Sequence, residues 1–263
     1  MRRIRGVGIA FVLSLLGWSG AATCQQFSHG SSDGTSYSQP KAPLSAAQVA
    51  NNLQERNLQR AAALNEFSSR RVYRMQYRGF FSDRDAEMVI DVTFRAPNTK
   101  QFRVVSQSGS KFVIDHVFKR LLDSEQEDVN EENRQHTELN TENYDFALAG
   151  YEATAQGAQY VLTLIPKNKN RFLYRGKIWV DAKDFAVVRI EAEPAKNPSI
   201  WIKNTEIEHR YMKVNDFWLP VVNHTESVIR FGGRAILSIE YKDYKITRAA
   251  PLSALQNANS SSK

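Results

Sequence analysis

The chain is 263 residues long, 42% apolar and 24% charged, with one cysteine and a formal net charge of +7. That apolar content suffices for one sizeable core, and a single cysteine excludes an intrachain disulfide framework. The charge does not point to nucleic acid: Arg2, Arg3 and Arg5 belong to a removable leader, and without them 32 basic residues face 28 acidic ones, a surplus of +4.

The leader comes first. Its arginines precede the apolar run 7–18, and the small residues Gly20, Ala21 and Ala22 follow, the three-part pattern of a secretory signal peptide. The run is too short to span a bilayer. Residues 1–22 are therefore read as a cleaved signal peptide, and the mature protein is expected in the periplasm. Cys24 stands where a bacterial lipoprotein carries its lipidated thiol, but Ala21-Ala22-Thr23 before it is a poor form of that signal. A free Cys24 and an outer-membrane lipoprotein anchored through Cys24 both stay open. Residues 23–43, rich in Ser, Gly and Gln, read as a disordered linker, and 249–263 as a disordered tail. The remainder, 44–248, reads as one domain.

The domain opens on a helix. Ser45 and Gln48 have the spacing of a capping box, with Leu44 and Val49 placed as its hydrophobic staple. Ala46, Val49, Ala50, Leu53, Ala61, Leu64 and Phe67 continue at helical spacing, with a break expected at Asn57. Alternation with period two then predicts strands over 71–81 and 86–95, and a shorter one over 102–106 after the turn at Pro97-Asn98. In the second strand Ala86, Met88, Ile90, Val92 and Phe94 share one side, against Glu87, Asp91, Thr93 and Arg95 on the other.

The period switches after Gly109. Val113, Ile114, Val117, Phe118, Leu121 and Leu122 define an amphipathic helix over 110–122. The segment 123–145 holds nine acids and only Arg134 as a base, too polar to hold that helix down, so the helix is expected to be a movable lid. Seven more strands are predicted at 144–152, 159–166, 172–181, 187–193, 199–212, 218–231 and 235–246, separated by turn residues. Several are longer than the usual five or six residues; long strands accumulate twist and curl. The expected fold is mainly β, an incompletely closed antiparallel β-barrel of about ten strands with two helices covering an apolar cavity. Its predicted lining is Met88, Ile90, Val92 and Phe94 from the second strand with Val117, Phe118, Leu121 and Leu122 from the helix.

Catalytic constellations do not emerge from this pattern. There is no nucleophile elbow, no His-Glu-x-x-His pair and no Walker loop, so no enzyme and no cofactor is expected. His209 and His224, near Glu208 and Glu226 on adjacent strands, could be imagined around a metal, but they read as ordinary strand residues and no metal is expected. Asn223-His224-Thr225 and Asn259-Ser260-Ser261 match the glycosylation sequon by a pattern common by chance. Tyr151, Tyr174, Tyr211, Tyr241, Tyr244, Trp179, Trp201 and Trp218 fit core or cavity lining better than a nucleic-acid platform, because aromatics favour strands. The early cluster Arg56, Arg60, Arg70, Arg71, Arg74 and Arg78 reads as solvated surface, with a face towards anionic lipid as the sharper alternative.

Gly176-Lys177-Ile178-Trp179-Val180-Asp181, Val187-Val188-Arg189-Ile190-Glu191 and Phe217-Trp218-Leu219-Pro220 resemble strands of the periplasmic outer-membrane lipoprotein-sorting proteins, the LolA-like family. So does the order of a leading helix, strands, an inserted helix and more strands, over roughly 45–246. The resemblance implies a non-enzymatic carrier or chaperone whose cavity shelters lipid acyl chains or lipoproteins, exchanged with a membrane-protein donor or acceptor, and no nucleic-acid partner. It also implies a cavity arginine that gates the lid, for which Arg74 and Arg78 are the candidates. An envelope sensor with the same lipid-binding fold, signalling to a protein partner, is the alternative; the long acidic segment 123–145 departs from a compact carrier.

Overall fold

In the computed structural model the described residues are 42–249, apart from 80–81, 98, 128–137, 156, 170–171, 198–199, 201 and 231. The leader, Cys24, most of the linker and nearly all of the tail lie outside them. The chain runs α1 (Ala46–Ala63), β1 (Leu64–Arg78), β2 (Asp83–Arg95), β3 (Thr99–Gly109), then three consecutive helical stretches. These are Lys111–Val113, a π-turn at Ile114–Phe118 and Lys119–Glu127, together α2 (residues 111–127). Seven strands follow: β4 (Tyr144–Thr154), β5 (Gly157–Pro166), β6 (Tyr174–Asp181), β7 (Val187–Pro194), β8 (Ile202–Val214), β9 (Phe217–Ile229) and β10 (Arg234–Arg248).

One antiparallel sheet of ten strands results, in the order β3-β2-β1-β10-β9-β8-β7-β6-β5-β4. It is not closed: β3 and β4 are its two edges. Register shifts within β1–β10, β2–β3, β4–β5, β6–β7 and β8–β9 each bend the sheet and raise its twist, so the long strands wrap into a trough. Directly paired residues share a face, and the register carries one inner face across the trough: Met88, Tyr73, Ile239, Asn223, His209, Ile190, Ile178 and Leu162. All eight are buried.

Both helices sit on that face. Val49 and Leu53 of α1 pack on Leu162, Leu164, Ile178, Val180, Val187 and Ile190. Val113, Ile114, Phe118 and Leu121 of α2 pack on Tyr73, Met88, Ile90, Val92, Leu237 and Ile239 at the other side. The expected capping box is present: Ser45 Oγ accepts from Gln48 N at 3.4 Å, and Gln48 Oε1 accepts from Ser45 N at 2.9 Å. Gly109 delivers the chain into α2 at φ +87°, where a Cβ would stand 2.3 Å from the Asp85 carbonyl oxygen, so only glycine fits this corner.

Two local expectations change. α1 is unbroken at Asn57, whose side chain accepts a 2.7 Å hydrogen bond from Arg60 one turn on. Leu64 and Phe67 belong to β1, not to the helix; an apolar residue three places after another satisfies helical spacing even where the chain has already extended. β3 runs well past the predicted 102–106 because most of its residues are exposed on both faces, leaving no alternation to mark its ends. Of the clustered arginines, Arg56 and Arg60 lie on α1, and those of β1 stand mostly on its outer wall in cross-strand ion pairs. Arg70 bonds Asp91, Arg74 bonds Glu87 and Glu240, and Arg78 bonds Asp85. Arg71 is the exception.

Candidate ligand pocket

Between the areas covered by the two helices, one end of the trough holds a third apolar group, Leu64, Phe94, Phe217 and Leu219, with Phe67 and Tyr244 against it. Phe67 stacks on Phe94 at 5.3 Å and meets Tyr244 at 6.1 Å. A pocket of about 130 Å³ opens here, walled by these side chains, by Asn57, Arg60 and Ala61 of α1, and by Arg71 and Lys100. Its apolar wall comes from the start of β1, the end of β2, the start of β9 and the end of β10.

The structure distributes the predicted lining residues unevenly. Phe94 lines this pocket. Met88, Ile90 and Val92 are fully buried on the inner face, as the alternation of β2 requires, but they pack directly against Phe118 and Leu121, with Val117 and Leu122 at the margin of the same cluster. Phe118 also lies on Tyr73, ring centroids 5.9 Å apart. In this conformation α2 is part of the core at that side of the trough.

A buried ion cluster ties α2 to the pocket. Arg71, 2% exposed, donates from Nη1 to both Glu125 carboxylate oxygens at 2.8 and 3.0 Å. Lys100 Nζ donates to Glu125 Oε1 at 2.8 Å. Burial alone would raise the Glu125 carboxyl, but Arg71 and Lys100 outweigh it and hold the group down at about 2. Burial likewise works against the Arg71 guanidinium, yet the Glu125 charge and the phenols of Tyr73 and Tyr241 push it well above its usual value. Arg71 also lies 5.0 Å from the Tyr241 ring centroid, and its Nε is buried without a hydrogen-bond partner.

Arg74 and Arg78, the candidates that the resemblance implies, are not among the residues that line the pocket, whereas Arg71 is. The signal was the strand phase: once β1 starts at Leu64, Phe67, Ser69, Arg71, Tyr73 and Met75 alternate inward, and Arg74 and Arg78 fall outside.

The other candidates separate cleanly. Glu208 pairs with His224 and His209 with Asn223, so the two histidines face opposite sides of the sheet; among the described residues no group of three potential ligands could hold a metal. His209 is buried, which lowers its pKa to about 4. Asn223 is 2% exposed and donates to Tyr241 Oη at 2.9 Å, which denies the sequon access in the folded state; Asn259 lies outside the described residues. Contrary to the reading that the sequence holds no nucleophile-elbow motif, Gly30-Ser31-Ser32-Asp33-Gly34 does spell Gly-x-Ser-x-Gly; it too lies outside the described residues. Of the aromatics, Tyr174, Trp179 and Tyr241 are buried, Trp218 and Tyr244 line the pocket, and Tyr151 and Tyr211 pack against the α1 cluster; Trp201 lies outside the described residues. No described helix is long and apolar enough to cross a membrane.

Several solved structures share the arrangement distantly. A DUF1329 family protein from Desulfovibrio piger is 15% identical, covering 81% of this chain and 98% of its own, at a TM-score of 0.39. A domain assigned to outer membrane lipoprotein sorting from Vibrio parahaemolyticus is 11% identical over 81% of this chain and 98% of its own, also at 0.39. A LolA superfamily protein from Nitrosomonas europaea is 13% identical over 79% and 96%, at 0.33. No family model matches the chain, and no curated protein matches it.

Proposed function

We propose that the protein is a non-enzymatic, exported carrier that shelters lipid acyl chains, those of lipoproteins among them, on the inner face of its trough. The observation that carries this reading is the apolar pocket beside the buried Arg71–Glu125–Lys100 cluster. An acyl chain has no directional groups, so its site needs only apolar area and exclusion of water, each buried methylene contributing roughly 0.8 kcal/mol.

Size decides what must move. A cavity of about 150 Å³ holds benzene, and this one is about 130 Å³, so as it stands it takes only a short stretch of an acyl chain. No described residue of α2 lines the pocket itself; a chain of a dozen carbons that continues from it along the inner face past Arg71 meets α2, which Arg71 with Lys100 holds down through Glu125. Arg71 thus takes the gating role that the family resemblance led us to seek at Arg74 or Arg78. The test is titration of the purified protein with a neutral acyl probe such as monolaurin, followed by calorimetry. Saturable binding that strengthens in Glu125→Gln is expected. Absence of binding in both proteins would overturn the carrier reading.

A further inference from the structure

The pocket's charge is as distinctive as its apolar wall. Three of the residues that line it, Arg60, Arg71 and Lys100, carry positive charge, and none carries negative charge. Glu125 stands behind the wall and offsets only one of the two cations that bond it. Arg60 is held by neutral acceptors alone: the carbonyl oxygens of Asp184 and Phe185, both at 2.9 Å, and Asn57 Oδ1 at 2.7 Å. Its partly buried guanidinium is disfavoured by desolvation, which lowers its pKa. Asp184 and Asp181 attract it only through space, and Asp184 is itself engaged by Lys213 and by Trp218 Nε1 at 2.6 and 2.9 Å.

We propose that the ligand this pocket prefers is an amphiphile with an anionic head, a carboxylate or a phosphate, and that a neutral acylated group binds it more weakly. This rests on the acyl-chain reading of the same pocket. The tail lies against Leu64, Phe67, Phe94 and Leu219, and the head enters the field of Arg60, Arg71 and Lys100. The Nε of Arg71 is buried and has no acceptor in the protein, so a head that displaces Glu125 meets a donor still to be satisfied. In water-poor surroundings an oxyanion meeting two or three cations forms charge-assisted hydrogen bonds, roughly twice as strong as neutral ones. A cationic head would meet the opposite sign. An anion at Arg71 and Lys100 also competes with Glu125 for the same donors, so loading the head loosens the hold on α2.

Isothermal titration of the purified protein with decanoate, decyl phosphate, decanol and decyltrimethylammonium separates the cases. Decanoate, decyl phosphate or both should bind at least tenfold more tightly than decanol, the stronger of the two identifying the head, and the ammonium should bind worst. The preference over decanol should shrink several-fold in Arg60→Gln and in Lys100→Gln, whose folding is verified by thermal melting. Equal binding of charged and neutral ligands would overturn the anionic head while leaving the acyl-chain reading intact. No binding of any of the four would overturn both. A preference untouched by either substitution would show that the head sits elsewhere, and the inference would fall.

Discussion

At the scale of single residues, two buried titrating groups give separable pH signatures. His209 keeps a neutral imidazole down to about pH 4 when folded, whereas the unfolded chain takes up its proton near pH 6.5. Stability should therefore fall as pH drops from 6.5 towards 4, by on the order of 3 kcal/mol. Glu125 acts in a lower window: its folded carboxyl is held at about 2, so the stability it confers is complete above its ordinary carboxylate range and is lost as pH falls from about 4.5 towards 2. Thermal melts across pH should show His209→Gln flattening the upper part of the profile and Glu125→Gln the lower part; identical profiles in both variants would refute the assignment. A third pair tests the phase of β2. Ile90 is fully buried, while Asp91 stands outside in ion pairs with Arg70 and Arg103. Ile90→Arg should cost several kcal/mol by burying an unpaired charge, and Asp91→Asn no more than about 1 kcal/mol, as for exposed pairs. Chemical denaturation of the two variants reads the difference directly.

At the scale of elements, α2 is packed into the core in this conformation, where its sequence surroundings suggest a free lid. Phe118 has no exposed surface and packs with Tyr73 and the β2 residues, so Phe118→Asp should lower the melting midpoint by many degrees, at a cost of several kcal/mol. A midpoint within about 2 °C of the parent protein, where roughly 1 kcal/mol is read as 2–4 °C, would restore the free-lid picture. For α1, Ser45→Ala should remove the cap at a cost of about 1 kcal/mol. The strands, the capping box and the inner side of β2 were legible in the sequence because each obeys a local period. The ion cluster was not. Arg71, Lys100 and Glu125 come from β1, β3 and α2, and no local period relates them; only the sheet register, together with the seating of α2, brings them together. The helix end was misplaced for a related reason, since Leu64 and Phe67 satisfy the spacing of either structure until the burial of β1 decides.

At the scale of the whole molecule, two meanders meet at one seam. β1–β2–β3 forms one, β4 to β10 the other, and β1 pairs with β10 over nearly the whole length of both. The core is divided accordingly: β1, β2 and β10 carry the α2 side, while β5 to β7 carry the α1 side. A chain ending after Ile229 lacks β10, and with it Leu237, Ile239 and Tyr241 from the α2 cluster. It should lose cooperative unfolding altogether, and with it the acyl binding proposed above, where loss of a peripheral strand would leave both measurable. Circular dichroism melting of the shortened chain, set against the full one, checks this.

The seam also governs the order in which the protein can be made. Arg78 must find Arg234 and Leu64 must find Arg248, so the first strand of the sheet waits for β10, the last of its ten strands to be synthesised. Until then the first meander presents the edge of β1 as well as that of β3, each a row of unpaired backbone groups able to pair with another chain. Pairings of such long separation are slow, on the scale of milliseconds to seconds, and the chain is most vulnerable to misassociation during that interval. The sheet that covers a buried core when complete is thus itself uncovered while β10 is still to come.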